Sequence, residues 1–135
     1  MYSVTTKSEF DAAHFLAGYQ GKCKNIHGHR WSVEVTLKGE ELDDLGMLVD
    51  FTDIKRDLNE ISDGFDHSFI FKKGSLKQTT LEALVDEGFK LNIMDFIPTA
   101  ESFARFFFDE LTKKNYPVYE VKVYETPKNY ATYTK

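Results

Sequence analysis

Three of the four histidines in this chain stand where they could bind a single metal ion. His27 and His29 flank Gly28 at the mouth of an alternating run, Arg30 to Lys38, and side chains two apart on a strand lie on one face. His14 sits in Phe10-Asp11-Ala12-Ala13-His14-Phe15-Leu16, a stretch in which Phe10, Ala12 and His14 would share a face. Three imidazole nitrogens with a fourth position left open are the donor set of a catalytic rather than a structural zinc. Zinc is the ion these ligands suit where no redox role is implied. Gly28 would let the backbone approach such an ion without a side chain in the way. The competing reading leaves His27 and His29 on the surface and His14 as a satisfied core residue.

Cys23 precedes His27 by four positions in a glycine-flanked loop, and three readings of it stand. It is a buried inert thiol, the commonest state of a lone cysteine. It is a nucleophile or proton carrier, its thiolate favoured by Lys22, Lys24 and a nearby cation. Or it is a fourth zinc ligand that closes a structural site. Asp66-His67 is either a solvated loop pair or an acid/base pair in which the aspartate fixes the tautomer of the imidazole. Glu125 stands at a strand end on an otherwise apolar face, which is unexpected unless it meets something polar. A carboxylate there can accept two parallel N–H bonds from a guanidine-like edge. Glu101 is a further candidate contact, or simply an acid favoured at a helix N-terminus.

The elements that must position these groups are legible in outline. Tyr2 to Leu16 is β-compatible, and Ala17 to Asn25 reads as a loop. Trp31, Val33, Val35 and Leu37 alternate with polar residues, the clearest strand signal in the chain. Gly39 to Asp44 is a turn or loop, with Gly46 a second break. A helix follows, capped by Thr52, carrying Ile54, Leu58 and Ile61, and ending near Asp63-Gly64. Phe69 to Lys77 is ambiguous, and a short helix is expected within Gln78 to Phe89. Thr99 caps a strong helix from Ala100 to Lys114, with Phe103, Phe106, Phe107 and Leu111 on its apolar face. Val118 to Glu125 and Tyr130 to Thr134 complete a second hairpin; on the first of these, Tyr119, Val121, Val123 and Glu125 would share a face. Two hairpins flanking the helices predict an α+β domain over residues 1–135, an antiparallel sheet with helices on one face.

Composition narrows the function classes. The 135 residues are 41% hydrophobic and 29% charged, ordinary for a globular chain, while the 15% aromatic content implies a core or subunit interfaces rich in large rings. A net charge of -5 argues against nucleic-acid binding. One cysteine allows no internal disulfide, and with no signal-peptide pattern or membrane-length apolar run the expectation is a cytoplasmic protein without a membrane partner.

Taken together, these segments resemble the 6-pyruvoyltetrahydropterin synthase family, and within it the bacterial branch that makes 6-carboxytetrahydropterin for queuosine biosynthesis. Phe10-Asp11-Ala12-Ala13-His14 resembles the first zinc-ligand motif, and Cys23-x-x-x-His27-Gly28-His29 the nucleophile-and-zinc motif. Gly46-Met47-Leu48-Val49-Asp50-Phe51 is similar to the segment leading into the first helix, and Asp66-His67 to the catalytic pair. Pro98-Thr99-Ala100-Glu101 and Val123-Tyr124-Glu125-Thr126 resemble two substrate-binding segments. The resemblance implies a tunnelling fold: a four-stranded antiparallel sheet with helices on one face, in ββααββ order with an extra short helix here. It also implies a homohexamer of two stacked trimers with sites between protomers.

By the same resemblance His14, His27 and His29 bind zinc, and Cys23, Asp66, His67 and Glu125 are catalytic. Glu125, Glu101 and Thr99 contact the substrate, 7,8-dihydroneopterin triphosphate. Lys22, Lys24 and Arg30 are the basic residues nearest the motif and the first candidates for the triphosphate. The implied outcome is 6-carboxytetrahydropterin with release of acetaldehyde and triphosphate. The alternatives are triphosphate elimination alone, giving the 6-pyruvoyl product, or a structural zinc module without catalysis. The chain departs from the family pattern at Phe69-Ile70-Phe71 and in a longer segment from Lys72 to Ile97, both expected to alter the pocket wall.

Overall fold

In the computed structural model, which describes residues 1–135, the alternating run becomes β2 (His27–Gly39), antiparallel to β1 (Tyr2–His14). Their register runs without a break from Tyr2 opposite Gly39 to His14 opposite His27. Trp31, Val33, Val35 and Leu37 are buried, as are Phe10, Ala12 and His14 on β1. The period of two therefore carries both the core face and the histidines along the same side of the sheet.

Two helices cover that side. In α1 (Phe51–Phe65), Ile54, Leu58 and Phe65 turn inward. In α3 (Ala100–Lys113), Phe103, Phe107, Phe108 and Leu111 do so, while Phe106 is only half-buried. Thr99 caps α3 by accepting from the Ser102 N–H. The cap of α1 is Asp50 rather than Thr52: the Asp50 carboxylate accepts from the Thr52 N–H. Rings of Phe10, Trp31, Phe65, Phe103 and Phe107 pack edge-on and offset, with centroids 5.1 to 6.3 Å apart. Each such fully buried ring contributes about 1.5–3 kcal/mol relative to exposure. No helix is long and apolar enough to cross a membrane.

The sheet is larger than the four strands expected. Its order is β4-β3-β1-β2-β5-β6, with β5 (Val118–Thr126) and β6 (Asn129–Thr134) forming the second antiparallel hairpin. The added strands β3 (Ser68–Lys72) and β4 (Leu91–Met94) run parallel to each other, and β3 runs parallel to β1. They come from the segment in which the chain departs from the family pattern. Phe69-Ile70-Phe71 is a continuous apolar run with no alternation, which a period-two reading cannot tell from a helix fragment. The short helix α2 (Gln78–Asp86) connects them and buries none of its residues.

A buried hydroxyl pair fastens α1 to β1: Ser8 Oγ and Ser62 Oγ lie 2.5 Å apart, at 6% and 1% exposure. Removing one hydroxyl strands the other away from water. Ser8→Ala should lower stability by about 1–2 kcal/mol, and Ser8→Ala with Ser62→Ala should cost less than the sum of the singles. Urea unfolding of the four proteins in that cycle checks the sign of the coupling.

Candidate active site

The unbroken β1–β2 register brings the three imidazoles together at the open end of the hairpin. One ring nitrogen from each of His14, His27 and His29 falls within 4.8 Å of the other two. His14 Nδ1 donates to the Pro98 carbonyl and His27 Nδ1 to the Asn25 carbonyl, each at 2.7 Å. A carbonyl only accepts, so either ring, in its neutral form, carries its single proton on Nδ1. The two Nε2 atoms are then both lone-pair acceptors, yet they face each other at 3.0 Å. A cation shared by both nitrogens would satisfy the two lone pairs. His29 Nε2, buried with no hydrogen-bond partner, could be satisfied by the same ion. The donor set fits a metal ion held by three imidazoles, two of them oriented by backbone carbonyls on their outer nitrogens.

Electrostatics agree. Burial lowers the His14 pKa to about 4, with repulsion from His27 and His29 adding to it and the Pro98 hydrogen bond opposing it. Desolvation also lowers that of His29, against the pull of Glu125. Both imidazoles are in the neutral form that ligation requires.

Glu125 meets the polar partner its position called for. Its Oε1 is 3.5 Å from His14 Nε2 and 3.8 Å from His29 Nε2. The β5–β6 register shifts between Tyr124 and Thr126, which leaves Glu125 at a bulge, a device that re-aims a side chain beside a site. A second shift opposite Thr36 and Leu37 leaves Tyr119 unpaired and exposed, so the shared face expected from Tyr119 to Glu125 is broken at both ends. Gly28 lies between the two imidazoles on β2. A Cβ there would meet only the Ala12 carbonyl oxygen, at 3.7 Å. The glycine lines two clefts that meet at His29, one of about 520 Å³ running to Tyr124 and Glu125, the other of about 400 Å³ running to His67.

Asp66 and His67 stand at the end of α1. The helix continues through Gly64 to Phe65, one turn-end later than the glycine suggests. The Asp66 carboxylate accepts from the Asp11 N–H and from His67 Nδ1, both at 2.8 Å. These bonds hold its pKa below the usual carboxylate value, the Asp11 N–H contributing most. The His67 side chain is 79% exposed. Cys23 is a free, half-buried thiol at the centre of a 3-10 turn, Lys22–Lys24. Its sulfur is not among the clustered donors. Glu101 is exposed in the first turn of α3, and the Thr99 hydroxyl is committed to capping. Arg30 is paired through two nitrogens with Asp11, so of the three basic candidates only Lys22 and Lys24 carry no carboxylate partner.

The sequence reading missed the carbonyls of Pro98 and Asn25 and the Asp11 backbone. Backbone acceptors leave no residue-type signal.

A model of the 6-pyruvoyl tetrahydropterin synthase family matches residues 3–135. The chain belongs to that family. It is 37% identical to a 6-carboxy-5,6,7,8-tetrahydropterin synthase of Rickettsia bellii, over 94% of this chain and 96% of that one. It is 32% identical to the enzyme of the same name from Haemophilus influenzae, over 98% and 99% of the two chains. Among solved structures, a protein of Wolinella succinogenes shares the fold with a TM-score of 0.85 at 22% identity, covering 99% of this chain and 98% of that one. A 6-pyruvoyl tetrahydropterin synthase of Caenorhabditis elegans superposes with a TM-score of 0.72 at 27% identity, over 99% and 95%. The fold is thus that of the tetrahydropterin synthases, with the sheet extended by β3 and β4.

Without metal, the neutral His14 of this synthase-family fold is a liability in acid. The unfolded chain takes up that proton below about pH 6.5 and the folded chain only near 4, so stability is complete above the first value and is lost as pH falls towards the second. The loss should approach about 3 kcal/mol. Urea unfolding of metal-free protein across that window checks it, and His14→Gln should flatten most of the dependence.

Proposed function

We propose that this chain is a zinc-dependent 6-carboxy-5,6,7,8-tetrahydropterin synthase. It converts 7,8-dihydroneopterin triphosphate to 6-carboxytetrahydropterin with release of acetaldehyde and triphosphate, a carbon–carbon lyase step in queuosine biosynthesis. The observation that carries the reading is the pair of facing lone pairs on His14 and His27, with the orphan nitrogen of His29 beside them. It calls for a resident cation in a chain whose full-length relatives are synthases of that name.

His14, His27 and His29 are the zinc ligands in this reading, and Glu125 beside them takes the guanidine-like edge of the pterin. Zinc bound there supplies Lewis acidity toward the side-chain hydroxyls of the substrate. Cys23 exchanges a proton with the substrate side chain. His67, its Nδ1–H directed to Asp66, presents Nε2 as the complementary acid/base group. Glu101 and Thr99 border the pterin, Thr99 through its backbone because its hydroxyl serves the helix. The site is completed between protomers of a homohexamer, a dimer of trimers. The exposure of Ile26, Leu45, Phe51, Tyr119 and Tyr130 supports such assembly. The protein works in the cytoplasm as one domain, without nucleic-acid or membrane partners.

Incubation of wild type and Cys23→Ala with 7,8-dihydroneopterin triphosphate, followed by mass spectrometry and zinc analysis, tests the reading. Wild type should release carboxytetrahydropterin and acetaldehyde. Cys23→Ala should keep its zinc and lose at least about 100-fold in kcat, the size of a lost proton-transfer group. A 6-pyruvoyl product would move the assignment to the pyruvoyl-forming branch. Zinc lost with Cys23 and no turnover by either protein would instead leave a structural metal module.

A further inference from the structure

The end of α1 is finished by residues far away in the chain. A helix leaves its last four carbonyls without intrahelical donors, and α1 has neither a basic residue in its last turn nor a glycine after it. The Ser62 carbonyl accepts from the Asp66 N–H at 3.0 Å. Lys90 Nζ donates to the Asp63 carbonyl, and Asn92 Nδ2 to that of Gly64, at 2.8 and 2.9 Å. The Phe65 carbonyl accepts from Ser68 Oγ at 2.6 Å, and Asn92 Nδ2 also donates to that hydroxyl at 2.8 Å. All four carbonyls are satisfied, two of them by the side chains of Lys90, just before β4, and Asn92 on it.

Lys90 makes one further bond, and it falls on the peptide that joins Asp66 to His67. The ammonium donates to the Asp66 carbonyl at 2.8 Å. The N–H of that same peptide, on His67, donates to the Asp11 carbonyl at 2.6 Å. His67 has φ of 55°, a left-handed conformation that a residue with a side chain keeps only when its surroundings impose it. Pinning both polar atoms of the preceding peptide imposes it. The same turn sets the distance from His67 Nδ1 to the Asp66 carboxylate.

We propose that Lys90, supported by Asn92, is a positioning residue for the Asp66-His67 pair: its ammonium holds the connecting peptide so that the His67 Nδ1–H stays on the Asp66 carboxylate. Nε2 of His67 is thereby kept as the free lone pair, opposite to the tautomer an unconstrained imidazole prefers. The segment from Lys72 to Ile97 then shapes the site from behind, through the backbone of the acid/base pair. This inference rests on the catalytic reading of Asp66-His67 given above.

The test compares wild type, Lys90→Met, Lys90→Arg and, as a control, Lys73→Met, an exposed lysine on the neighbouring turn. Two readouts are taken on zinc-loaded protein: steady-state kinetics with 7,8-dihydroneopterin triphosphate, and the imidazole nitrogen shifts of His67 by NMR. Lys90→Met should shift His67 toward the Nε2–H tautomer and reduce kcat roughly 10- to 100-fold with little change in KM, the cost of a displaced catalytic group. Lys90→Arg, which can still bridge two carbonyls, should recover most of both, and Lys73→Met should change neither. A wild-type tautomer and wild-type kcat in Lys90→Met would overturn the proposal and reduce Lys90 to a helix cap. A tautomer shift in a protein whose wild type turns over no pterin would uphold the positioning and overturn the reaction.

Discussion

Everything at this site depends on one register. Because β1 and β2 pair without a bulge along thirteen residues, His14 comes to lie directly opposite His27, and the buried face of the hairpin ends in imidazoles rather than in solvent. A slip of one residue would turn all of these side chains to the other face of the sheet. The hydrophobic pattern that fixes this register also fixes the histidine cluster, since Trp31, Val33, Val35 and Leu37 cannot leave the core without taking His27 and His29 with them. Packing energy and ligand geometry are thus imposed by the same hydrogen-bond ladder.

That ladder explains what could be read in the residues. Alternation locates β2 and, with it, the shared face of His27 and His29. Apolar spacing locates α1 and α3, and Thr99 marks the start of the latter. What periodicity cannot supply is anything that depends on a break in period. The bulges that expose Tyr119 and re-aim Glu125 are single-residue events. The parallel strands β3 and β4 are too short, and Phe69-Ile70-Phe71 too uniformly apolar, to declare a period. Gly64 looks like a terminator because glycine usually ends helices. Here the helix passes through it, since donors from β4 replace the glycine turn that would otherwise satisfy the last carbonyls.

The site residues divide along the same line. Side chains that could ligate or exchange protons were visible as residue types, and His14, His27, His29 and Glu125 do converge. Asp66 and His67 pair as their adjacency suggests. The groups that orient them were not visible, because the Pro98 and Asn25 carbonyls and both polar atoms of the Asp11 backbone carry no chemical label in a sequence. Arg30 shows a partner that residue type alone does not declare. Proximity to a motif marks it as a candidate anion ligand, and its guanidinium also pairs with Asp11 across the strand ladder.

Asp11 therefore joins what would otherwise be two separate arrangements. Its side chain takes Arg30 from β2, its N–H binds the Asp66 carboxylate, and its carbonyl accepts from the His67 N–H. Directly after it, Ala12 and His14 pair with Ser68 and Ile70 on β3. Within four residues of β1 the chain carries one imidazole of the histidine cluster and the backbone anchor of the Asp66-His67 pair. Because strands deform less readily than loops, this shared anchor sets the spacing between the two groups far more firmly than two independent loops would. The parallel strands beyond β1 extend the ladder outward from the same residues, Ala12 to His14.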